Sequence, residues 1–200
     1  MGTRLPVLWL DERLHRDPRL MREAILQTLE TLPAQADTLL VCMGFCGGSW
    51  AEIKAPRRLV MPRADDCVSI LLHTSERSGY NLKEPGHLYV KGPDPQRASF
   101  AGIFARMTAG APPEQRRIWH ERWKASYCSV DIIDTGLYDC RSKAYRRPVL
   151  ADAAFLEAET ATVPGSTKLL EALVSGQWDE RFRTFEPGET ITEEALRARG

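Results

Sequence analysis

Short apolar runs alternate along this chain with segments whose apolar residues recur at helical spacing, the mark of strands and helices taken in turn. Leu5 to Asp11 is an apolar run ending in polar residues, followed by a helical spacing from Leu20 through Ile25 to Leu29. The run DTLLVCMGF (37–45) is long enough for a buried strand and is closed by Gly47 and Gly48. RLVMPR (58–63) reads as a third short strand, and DDCVSILLHTSER (65–77) sets two acids before an apolar helix, where acids cap. Strand, helix, strand, turn, strand, helix is the alternation of an α/β fold with a mostly parallel sheet flanked by helices.

Beyond Asn81 the pattern loosens. HLYVKG (87–92) predicts a strand, SFAGIFARM (99–107) a short helix, and PPEQRRIWHERWKASY (112–127) a longer one with Pro112 and Pro113 in its first turn. SVDIIDTGLYD (129–139) predicts a strand that ends on Asp134, Thr135 and Gly136. Pro148 should break or begin a helix, since its ring cannot donate the interior hydrogen bond. ETATVPG (159–165) predicts a last strand and TKLLEALVSGQW (167–178) a helix stopped by Gly176. From about 183 an extended tail with a frayed end is expected. With no repeat, low-complexity tract or linker, the expected organisation is one α/β domain over 1–200.

Composition narrows the partners. Lys+Arg and Asp+Glu balance at 27 each, so no basic field exists to hold a nucleic-acid backbone or an anionic membrane. A small-molecule substrate or a protein partner is expected instead. The apolar run before Asp11 is too short for a signal peptide and nothing later approaches a membrane span, which predicts a soluble, cytoplasmic protein. Five cysteines, an odd number, fit reduced thiols that bind metal or react, rather than a disulfide framework.

The chemistry gathers where strands end, the edge at which open α/β sheets bind ligands. Cys46 lies at a strand end beside Gly47 and Gly48, where a tight turn can present amides to a ligand. Cys67 follows Asp65 and Asp66 at a helix start, where the dipole favours a thiolate and the two acids oppose it; a cation reverses that opposition. Thiolate with carboxylate makes a zinc or iron shell, although either acid is as readily an N-cap, and both cannot cap one helix. His15 is a ligand or general acid/base, or else a surface residue before Arg16-Asp17-Pro18. Cys42, inside the strand, is expected to pack as a small hydrophobe.

Asp134 and Thr135 bind a cofactor through amides and hydroxyl, or simply form a turn. His73 reads as a core or boundary residue and His120 as solvated helix surface. Cys128 and Cys140 can supply a further ligand but are expected to pack. The absence of any Cys-x-x-Cys excludes a zinc ribbon, and FCGGSW lacks the spacing of a dinucleotide fingerprint, so no nucleotide cofactor is indicated.

LWLDERLHRDP, LLVCMGFCGG, RLVMPRADDCVSILLHTSER, PGHLYVKG, VDIIDTG and LLEALVSGQWDERFRTFEPGE, in this order, resemble the prokaryotic family called domain of unknown function 1638. That family's pattern has Cys-Gly after one strand and Pro-Arg-x-His-Asp-Cys after the next. Cys46-Gly47, Pro62-Arg63, Asp66 and Cys67 match it, and Asp65 stands where histidine is expected. His15 matches a Leu-His pair near the family's start. The resemblance implies a Rossmann-like fold and an association with corrinoid-dependent methyltransferases and one-carbon metabolism.

Three functions follow. The first is a metal-thiolate protein in which Cys46, Cys67 and either Asp65 or His15 bind zinc or iron, with Asp66 and His15 as candidate catalytic groups and Gly47, Gly48, Asp134 and Thr135 as cofactor contacts. Its substrate would be a small thiol or a methyl donor. The second is metal-free catalysis by two opposed thiols acting as acid and base on an acidic carbon. The third is a non-catalytic accessory protein that binds a corrinoid or methyltransferase partner, for which Trp119 and Trp123 would form the surface if exposed.

Overall fold

The computed structural model describes residues 5–198. In chain order its elements are α1 (Pro18–Glu30), β1 (Thr38–Leu40), β2 (Arg58–Pro62), α2 (Cys67–Leu72), β3 (His87–Val90), α3 (Phe100–Met107), α4 (Pro113–Ser126), β4 (Ser129–Asp134), α5 (Lys143–Leu156), β5 (Glu159–Pro164), α6 (Lys168–Val174), β6 (Phe182–Phe185) and α7 (Glu193–Arg197). Single 3₁₀ turns cover Glu12–Arg16 and Pro95–Ala98. The α/β class expected from the sequence is what the structure has: helices around parallel-rich sheets. The chain divides into two compact units, 1–82 with 167–200, and 83–166.

In the first unit the sheet order is β1-β2-β6, with β1 parallel and β6 antiparallel to β2. The central strand is apolar on both faces because both are covered. Leu59 and Met61 pack with Met21 and Ile25 of α1 and with Phe185, while Val60 packs with Ile70, Leu169 and Leu173 of α2 and α6. Asp17 starts α1 by accepting the Arg19 amide at 2.9 Å, with Pro18 in its first turn.

The second unit has a wholly parallel sheet, β3-β4-β5. Val90, Val130 and Ile132 of that sheet bury against Tyr145, Val149, Ala153 and Leu156 of α5. Ser142 caps α5 by accepting the Tyr145 amide.

Several expectations are corrected. Leu5 to Asp11 is not a strand; it runs exposed through Trp9, at 88%, with Leu10 half-buried against the core, and Asp11 instead caps the 3₁₀ turn by accepting the Arg13 amide. The strand expected over 37–45 stops at Leu40, so Cys42 lies beyond it and is exposed rather than packed. Pro148 neither breaks nor begins α5, which starts at its Ser142 cap and carries the proline inside; sixth in the helix, Pro148 forfeits one bond while Tyr145 and Val149 anchor the turns around it. The tail expected from 183 contains β6, paired along β2, and α7, capped by Thr192 through the Ala195 amide, because Phe182, Phe185 and Leu196 bury there. The extreme end, 199–200, lies outside the described residues.

Candidate functional site

The loop after β1 runs alongside the loop after β2, and this brings the two singled-out cysteines together. The Phe45 amide donates to the Ala64 carbonyl at 3.0 Å and the Cys46 amide to the Asp65 carbonyl at 2.6 Å. Gly44 makes the approach possible: a Cβ there would lie 2.6 Å from both Cα and N of Asp66 and 2.7 Å from the Ala64 carbonyl oxygen. Cys46, Gly47 and Gly48 then turn the chain with φ of 51°, 66° and 87°. Two of these are glycines, for which the left-handed region costs nothing; Cys46 takes it at a cost.

Cys46 is half-buried, and its thiol is pushed up to about 12, first by burial and then by the negative charges of Cys67 and Asp66. Hydrogen bonds from the Gly44 and Cys67 backbone act in the opposite direction and are outweighed. Cys67 opens α2, and its Sγ lies 3.9 Å from Nε2 of His15 on the 3₁₀ turn. Asp66 is the N-cap of α2, its Oδ1 accepting the Ser69 amide at 2.9 Å. The choice between the two acids as cap thereby falls on Asp66. Asp65 donates its amide N–H to the Tyr80 carbonyl at 2.7 Å. Its charge is felt by Tyr80, whose phenol is pushed up by burial, then by Glu193 and Asp65, and by Arg197, whose guanidinium stands 4.5 Å from the Tyr80 ring.

Cys46, Cys67, His15, Asp65, Asp66, Gly47 and Gly48 therefore all belong to the first unit. Gly44 and Tyr80 went unnoticed in the sequence; the first reveals itself only when the second loop is in place, and the second had no spacing to mark it. Among the described residues, no three His, Cys, Asp or Glu side chains stand close enough to hold an ion as they are. No described helix is long and apolar enough to cross a membrane.

Asp134 and Thr135 belong to the second unit. Asp134 ends β4 and accepts the Gly136 amide at 3.0 Å, a turn in which Gly136 takes φ of 74°. The Thr135 hydroxyl is buried without a hydrogen-bond partner. Cys140 is buried in that unit's core and Cys128 is exposed against Gly86. His120 is not solvated surface: its Nε2–H donates to the Phe155 carbonyl at 2.7 Å, and the ring stacks on that of Phe155. Trp123 packs edge-on against Phe104 and lies half-buried against the core of that unit.

Compared with known proteins, residues 9–174 match a family model described as "Protein of unknown function (DUF1638)". No curated protein and no solved structure matches the chain.

Proposed function

Since the chain belongs to the DUF1638 family, whose description states no activity, we propose from its own residues that it is a metal-thiolate protein. In this proposal Cys46, Cys67 and His15 hold zinc or iron, and a small thiol or a methyl donor is bound beside them. The observation that carries it is the 3.9 Å between Cys67 Sγ and His15 Nε2. A thiolate at about 2.3 Å and an imidazole at about 2.0 Å from one tetrahedral ion stand roughly 3.5 Å apart, so little movement separates the dyad from a ligand pair. Cys46 supports it chemically. Cys67 and Asp66 raise its thiol by adding negative charge, and a cation turns that same charge into binding energy.

When bound, such an ion would act as a Lewis acid and keep a coordinated thiol deprotonated. Asp66 holds the start of α2, and with it Cys67, in place. Asp65, where the resembling pattern has histidine, offers an oxygen donor that would bias the site toward harder metals. Reduced thiols at work suit the cytoplasm, and a corrinoid or methyltransferase protein is the partner to try first.

A metal-free thiol pair is the second proposal, supported by the contrast between a Cys46 held protonated and a Cys67 facing an imidazole. Elemental analysis of tag-free protein separates the two. Stoichiometric zinc or iron, lost in Cys46→Ser and Cys67→Ser, is the expected result, and a folded protein that takes up neither metal at these residues refutes the first proposal.

A further inference from the structure

The second unit carries an imidazole held from behind by a buried carboxylate. Asp131 sits in the middle of β4, the central strand of the parallel sheet, and its side chain is 2% exposed. A carboxylate buried there needs donors, and it has two. The Ser129 hydroxyl donates to Oδ1, and Nδ1 of His87, on the neighbouring strand in register with Ser129, lies 2.7 Å from Oδ2. A carboxylate only accepts, so Nδ1 carries the proton, and in the neutral ring Nε2 keeps its lone pair. An apolar residue at 131 would hold this sheet as well or better; what the buried charge adds is a fixed tautomer and a fixed ring.

The sequence in front of His87 delivers a second donor. Glu84-Pro85-Gly86-His87 is the signature of a type II turn, with proline second and a glycine third whose φ is 78°. The His87 amide closes it on the Glu84 carbonyl at 3.2 Å, and the Tyr89 hydroxyl accepts the Glu84 amide at 3.0 Å. The turn sets Oε2 of Glu84 3.7 Å from Nε2 of His87. Imidazole and carboxylate bound to one tetrahedral ion at about 2.0–2.2 Å stand roughly 3.4 Å apart.

We infer that Glu84 and His87 form a second metal site, for zinc or a similar imidazole-preferring divalent ion, with Asp131 and Ser129 as the outer hydrogen-bonded shell. The inner pair is preorganised by the turn, and the ring is oriented as metal-bound histidines are, with the other nitrogen donating to a carboxylate. Two protein ligands leave positions for water or a bound molecule. This site shares no residue with the thiol centre and does not depend on it.

The test is a zinc titration of the full-length Cys46→Ser/Cys67→Ser protein, free of any histidine tag, against a chromophoric chelator. One equivalent is expected to bind. Adding Asp131→Asn should weaken it about 10- to 100-fold, and adding His87→Ala should abolish it. Should His87→Ala fail to give a cooperative melt, Glu84→Gln decides, since that side chain is 57% exposed and its replacement leaves the core alone; a loss of zinc affinity of at least about tenfold is expected. No zinc bound by the double variant, or zinc affinity unchanged by Glu84→Gln or by a folded His87→Ala, overturns the inference.

Discussion

Cys46 departs from the ordinary in two ways at once, a left-handed backbone at φ 51° and a thiol held protonated. The first disfavours the folded state throughout and the second only where a thiol would ionise, and residues perturbed in these ways cluster where a protein binds or reacts. The pH consequence follows from the direction of the shift. A thiol in the unfolded chain ionises near 9.0 and folded Cys46 near 12, so the folded value is the higher one. Stability is then fully present below about pH 9 and drains away as the pH rises toward 12, because only the unfolded chain gains by ionising. Urea unfolding of the metal-free protein at about pH 8 and about pH 10 should show a larger loss for wild type than for Cys46→Ser. Equal losses would mean that Cys46 ionises as it does in the unfolded chain. At this scale the sequence was informative where a cysteine follows a strand end, as Cys46 and Cys67 do. It misled at Cys42, because nothing in an unbroken apolar run tells where pairing stops, and β1 ends two residues earlier.

Two loops, each set by the strand before it, make the thiol centre an affair of elements. The long periodic segments were legible, α1, α4 and β4 above all, since burial imposes its period on the sequence. Leu5 to Asp11 was not, because an apolar run has the composition of a strand whether or not a partner lies alongside. Pro148 was not, because burial of Tyr145 and Val149 outweighs one lost helical bond. The closest packing in the site was invisible for the same reason: Gly44 is crowded by residues twenty or more positions away. Gly44→Ala should therefore push the loops apart, lowering stability and metal uptake together. Asp66→Ala should cost about 0.5–2 kcal/mol through the lost cap of α2, while Asp66→Asn, which still caps, should cost less. Thermal unfolding and metal content of the three variants check both expectations. Full metal uptake by Gly44→Ala would show that the loop contact does not position Cys46.

At the scale of the whole molecule, each proposed ion is bound by one unit: the thiol centre by the unit made of 1–82 and 167–200, the Glu84–His87 site by 83–166. An ion that binds the folded chain and not the unfolded one stabilises it by RT ln(1 + [L]/Kd), about 2.7 kcal/mol at a hundredfold excess over Kd. For a chain of 200 residues that corresponds to a rise in Tm of roughly 5–10 °C. Zinc added to chelator-stripped protein is expected to raise Tm by this order, and chelator to reverse it. Cys46→Ser/Cys67→Ser should lose the part due to the thiol centre and keep the part due to His87, which Glu84→Gln then removes. Because sites that share no ligand should contribute nearly additively, the two losses should sum to the wild-type shift. A zinc shift of undiminished size in the triple variant would place the ion at neither centre.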